Sequence, residues 1–273
     1  MGGLLVGLLV GGSLAAGAVV AVGPSLSPRL AALITAFGGG ILLAAVALEL
    51  APSADERAGQ IGTALGLLGG AVLYVGADTW LSRDQHTELV RRSGHAAAAG
   101  KPMPMSVPTS TPMSVPMPVP MPVPMEADDR EAARGEAIAA GIVVDGIPES
   151  LALGFMVAAG KPGAALLAAV VIGNVTEAYG AAQPILVGGR SRRFALGLLT
   201  SIGALLAVTV ILGGTIASGL DERVVGVAEA VAAGAILAVL TISIIPYAFK
   251  QVSSQAALAA AVGFTTGYLL SSY

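Results

Sequence analysis

The chain has 273 residues, 55% of them hydrophobic and only 11% charged, with 37 glycines, a net charge of −3 and a mean hydropathy of +0.83. A soluble domain carries about 25% charged residues, so this composition excludes one and indicates an all-α polytopic membrane protein whose first partner is the lipid bilayer. With no cysteine, disulfides, thiolate metal sites and thiol chemistry are excluded too, and nothing in the charge balance points to nucleic acid or an organic cofactor.

About 20 apolar residues are needed to cross roughly 30 Å of hydrocarbon. Read with that window, the chain offers eight spans, at 3–22, 30–51, 60–82, 136–160, 163–188, 194–218, 225–249 and 254–272. No lysine or arginine precedes the first run, so it reads as a transmembrane helix rather than a cleaved signal segment. Short polar turns separate spans one to three, the second of them at Asp55-Glu56-Arg57. Four regions follow: residues 1–82 with spans one to three, a connection at 83–135, residues 136–188 with spans four and five, and residues 189–273 with spans six to eight.

Within 83–135 the run Val115-Pro116-Met117-Pro118 repeats with a period of four and holds, with its flanks, six of the eight methionines. Proline at alternate positions removes donors and fixes φ, so the segment reads as an extended, mostly disordered tether. Thioethers suit Cu(I), but a low-complexity linker accounts for the repeat more simply, and His86 and His95 read as solvent-exposed residues.

An outside N-terminus puts 11 of the 14 basic residues on inner loops, leaving Arg57, Lys161 and Arg223 outside. This positive-inside bias predicts a cell-membrane protein with both termini outside, the long loop cytoplasmic and an even number of spans. Residues 40–52 also align without gaps on 234–246, with four identities in thirteen positions ending at Pro52 and Pro246. Spans two and seven would run in opposite directions, giving a 3+2+3 inverted-repeat arrangement. Glycines four apart at Gly62, Gly66 and Gly70 suit helix packing either within the chain or across a homodimer.

The chemistry sits in spans four and five. Asp145 and Glu149 are i and i+4 on one helix face, separated by a rise of about 6 Å. Pro148 between them lacks the donor that Val144 would need, which predicts a loosened helix beside both acids. In span five Asn174 and Glu177 are i and i+3, and both pairs fall near mid-helix. Thr176 lies beside them, with a hydroxyl able to bond back to the preceding turn. Ionisable groups at that depth are functional by default. An oxygen-rich group of this kind holds a divalent cation or relays protons; the alternative for each acid is a protonated carboxyl that fixes helix packing. Glu49, Asp78 and Glu229 lie nearer span ends and read as interfacial.

Asp145-Gly146-Ile147-Pro148-Glu149-Ser150 resembles the fourth-helix signature of the ZIP (zinc- and iron-regulated-transporter-like) divalent metal transporters, His-Asn-x-Pro-Glu-Gly. Gly173-Asn174-Val175-Thr176-Glu177-Ala178 resembles the family's shorter fifth-helix form. The span count, the orientation, the long cytoplasmic loop and the two-to-seven repeat are similar to that family along the whole chain. The resemblance implies a transporter, not an enzyme, with Asp145, Glu149, Asn174 and Glu177 as metal ligands and Pro148 and Thr176 shaping the site. It puts Zn²⁺ first as cargo, while the all-oxygen ligand set suits Fe²⁺ or Mn²⁺. The chain departs from the pattern at Gly146 and Gly173, where ligands are common, at Thr176 in place of proline, and at Thr241 to Tyr247 of span seven, which has no acid. Those departures fit a degenerate, non-transporting relative that senses or scaffolds; less well, the paired acids fit an intramembrane di-acid enzyme.

Overall fold

The computed structural model describes residues 2–23, 26–81, 127–161 and 163–271. Among the described residues all regular structure is helical: α1 (Gly2–Val22), α2 (Pro28–Ala45), α3 (Ala51–Leu81), α4 (Ala127–Ala158), α5 (Ala164–Val187), α6 (Arg192–Ala217), α7 (Glu222–Val239), α8 (Ile245–Val252) and α9 (Ser254–Ser271). Six helical stretches are long and apolar enough to cross a membrane, the architecture of a multi-pass membrane protein. The Met/Pro repeat, His86 and His95 lie outside the described residues.

One of the six stretches, Pro28–Thr79, is 52 residues long, about 78 Å at 1.5 Å per residue and more than twice the hydrocarbon thickness. It is divided at Gly59, whose φ of 73° and ψ of 164° are open only to glycine. The polar turn expected at Asp55-Glu56-Arg57 is therefore helical, and the break comes two residues later. A second difference concerns the long connection: α4 begins at Ala127, so residues 127–135, read as the end of that connection, are helical.

Two π-helical turns, Val46–Leu50 and Leu240–Ile244, join α2 to α3 and α7 to α8. Each closes with an i→i−5 bond, Ala51 N donating to Val46 O and Ile245 N to Leu240 O. Each directly precedes the residue before a proline, Pro52 or Pro246. Proline cannot donate to the carbonyl four residues back, and the wider turn takes up the disturbed register.

α3 lies along α7 and α9 along α2, while α1 and α4 each pack against both α5 and α6; α2 meets α5 and α4 meets α7. Glycine permits the closest approaches. A Cβ on Gly70 or Gly234 would strike the Val231 or Leu67 carbonyl across the α3–α7 seam, and one on Gly40 or Gly263 would strike that of Ala260 or Phe37 across α2–α9. Gly62, Gly66 and Gly70 face Val227, Ala230 and Val231 of α7, so that series is used inside the chain.

Candidate ion site between α4 and α5

The neighbouring helices α4 and α5 carry every residue singled out in spans four and five. Glu149 lies within electrostatic reach of both Glu177 and Asp145, and Glu177 within reach of Asp145. All three side chains are half-buried. Two packed helices thus bring three carboxylates together in the middle of apolar segments. Among the described residues, no three His, Cys, Asp or Glu side chains converge closely enough to grip one metal ion in this conformation.

The individual members differ in how they are held. Asp145 Oδ1 accepts a 2.6 Å hydrogen bond from the Tyr74 hydroxyl of α3, and Tyr74 is only 5% exposed. A short bond from a neutral donor to a carboxylate is among the stronger ones available. Asn174, 2% exposed, points its amide nitrogen at α1, donating to Val10 O at 3.2 Å and Ser13 Oγ at 3.0 Å. Any service to an ion would fall to its Oδ1. Thr176 Oγ1 donates back to Gly173 O at 2.8 Å, the intrahelical bond expected of it. Pro148 lies inside an unbroken α4, so the expected loosening does not interrupt the helix.

Two acids read as interfacial lie against other helices instead. Glu49, in the first π turn, caps α5: its Oε1 accepts from Ala165 N and its Oε2 from Leu166 N, each at 3.1 Å. The cap residue of α5 is Gly163, which has no side chain to do this. A carboxylate at a helix N-terminus satisfies orphan donors and complements the helix dipole. Glu229, on α7, is fully buried at 0% exposure. Its Oε2 is 3.9 Å from Arg57 Nε.

At one end of the bundle Lys161 Nζ donates to Glu56 Oε2 at 2.7 Å, linking the α4–α5 turn to the first turns of α3. Arg190 Nε donates to Glu136 Oε1 at 3.1 Å, linking the α5–α6 turn to α4.

No protein-family model matches this chain, and no curated protein does.

Tyr74 has no place in the sequence reading, and Glu49 has a different one, as an interfacial acid, each for its own reason. A single tyrosine in an apolar run carries no signal, whereas an acid three residues before a proline, followed far along the chain by a helix opening on glycine, was a usable one.

Proposed function

We propose that the chain is a membrane transporter of divalent metal cations, zinc first and iron or manganese next, and a divergent relative of the ZIP family. The observation that carries this reading is the meeting of Asp145, Glu149 and Glu177 on α4 and α5. Three carboxylates within reach of one another's charge in a low-dielectric interior are disfavoured unless cations or protons compensate them. A divalent cation offsets two charges at once and takes oxygen ligands readily. Glu149 and Glu177 are its main ligands, Asp145 adds an oxygen under the control of Tyr74, and Asn174 supplies Oδ1. The carboxylates must close around the ion by small helix movements, in keeping with a carrier that binds and releases.

Eight crossings in a 3+2+3 inverted repeat belong to the same reading. The break at Gly59 supports two crossings in 28–79. A shift of about 194 positions relates the two π turns, Pro52 to Pro246, and Gly59 to Ser253, which also has a positive φ of 49°. The packing supports it as well: exchanging α1 with α6, α2 with α7, α3 with α9 and α4 with α5 maps the main helix contacts onto one another. The distribution of basic residues supports termini outside the cell membrane.

The test is metal accumulation in cells expressing the chain with Glu149→Ala or Glu177→Ala, alongside elemental analysis of the purified protein. Loss of accumulation in both variants is expected; accumulation equal to the parent would overturn the ligand assignment. A second reading, a relative that binds without transporting, draws on the acid-free stretch Thr241 to Tyr247 and on the commitment of the Asn174 amide to α1. Bound metal without accumulation would favour it.

A further inference from the structure

We propose that Glu229, with Ser53 and Arg57, forms a proton-binding site on α7, separate from the three mid-helix acids Asp145, Glu149 and Glu177. Glu229 lies two turns into α7, about 10 Å from its start, and is completely buried. An ionised carboxylate seeks several donors, yet neither Oε1 nor Oε2 has a hydrogen-bond partner among the described residues. Beside it lies Ser53 Oγ, also fully buried, a hydroxyl that acts on this carboxyl without forming a well-aligned hydrogen bond to it. The nearest cation, Arg57, stands 3.9 Å away, beyond hydrogen-bond range, with its own side chain 18% exposed.

The other charges acting on Glu229 are Lys161, from the α4–α5 turn, and Glu56, from α3. Glu49, on the adjoining π turn, is turned to the start of α5. Two cations so near oppose a metal ion at this place, but a proton needs only one oxygen. On binding, one O–H bond forms on the carboxylate, its charge is removed from the apolar interior, and Ser53 Oγ is at hand as acceptor. The proton comes from hydronium in the surrounding water, whose O–H bond breaks to leave a water molecule. Arg57 keeps its access to water. Release reverses the step and restores the Arg57–Glu229 attraction between α3 and α7.

The experiment is infrared difference spectroscopy of the full chain in lipid nanodiscs, between acidic and alkaline buffers without divalent metal. Asp145→Asn, Glu149→Gln and Glu177→Gln are combined as the background, so the three mid-helix acids contribute nothing. The expected result is a protonated-carboxyl C=O band that disappears in Glu229→Gln and changes frequency in Ser53→Ala. In Arg57→Gln, which leaves Glu229 in place should the glutamine variant fail to fold, the band persists into more alkaline buffer. A band untouched by Glu229→Gln, or by both Ser53→Ala and Arg57→Gln, would overturn the site. Because no metal is present, failure of the transport reading leaves the outcome intact.

Discussion

At the scale of single residues, buried polar groups in this chain are distinguished by what holds them, and Tyr74 is the most directly testable case. Its hydroxyl donates to Asp145 Oδ1 at 2.6 Å from a different helix. Tyr74→Phe keeps the ring and removes the hydroxyl that makes this bond, so unfolding in detergent should become easier by about 1.5–3 kcal/mol, the usual worth of a hydrogen bond to a charged group. Asp145→Asn added on top should cost much less than it does alone; fully additive losses in the double-mutant cycle would show that the bond is not made. The acids of α4 and α5 were legible in the sequence because a charge in an apolar run stands out whatever surrounds it. How each is held was not, since the partners are remote: 71 positions separate Tyr74 from Asp145, and 161 separate Asn174 from Ser13. Glu229 misled for the complementary reason. Its place near a span end reads as interfacial, and only the packing of α3 over α7 buries it.

At the scale of elements, helix existence followed from apolar length, while helix ends and defects followed from local backbone chemistry that a hydropathy window averages away. The two π turns need a proline and a packed neighbour together, so Pro52 and Pro246 were visible but their consequence was not. The breaks are more instructive. Gly59 turns at φ 73°, where glycine is at ease, whereas Ser253 turns at φ 49° and ψ −127° with a Cβ to accommodate. Strain of that kind costs on the order of 1–3 kcal/mol. Ser253→Gly should accordingly stabilise the chain by about 1 kcal/mol, seen as a higher midpoint of thermal unfolding in detergent, and Gly59→Ala should lower the midpoint by a comparable free energy. No change in either variant would mean that neither break constrains the backbone. Since both breaks join long helices, the pair also tests whether the two halves of the molecule depend on equivalent hinges.

At the scale of the whole molecule, the path of the chain through the bilayer decides whether the acids of α4 and α5 can serve a carrier at all, because an ion must be able to reach them from both sides. The absence of cysteine makes single-cysteine labelling a clean measure of that path. Ser191 and Ser218 flank α6 and are both exposed, so an impermeant maleimide should reach one from each face of the membrane. With Arg190, Arg192 and Arg193 beside Ser191, the positive-inside bias predicts that Ser191 faces the cytoplasm. Ser218→Cys and Lys161→Cys should thus react in intact cells, and Ser191→Cys and Ser253→Cys only after permeabilisation. Ser191 and Ser253 are the informative pair, since α6 and the α7–α8 stretch lie between them and two crossings must return the chain to the same face. Labelling of Ser253→Cys from outside would leave one of those stretches uncrossed, break the exchange of α2 with α7, and remove the opposed pair of helices against which α4 and α5 would have to move.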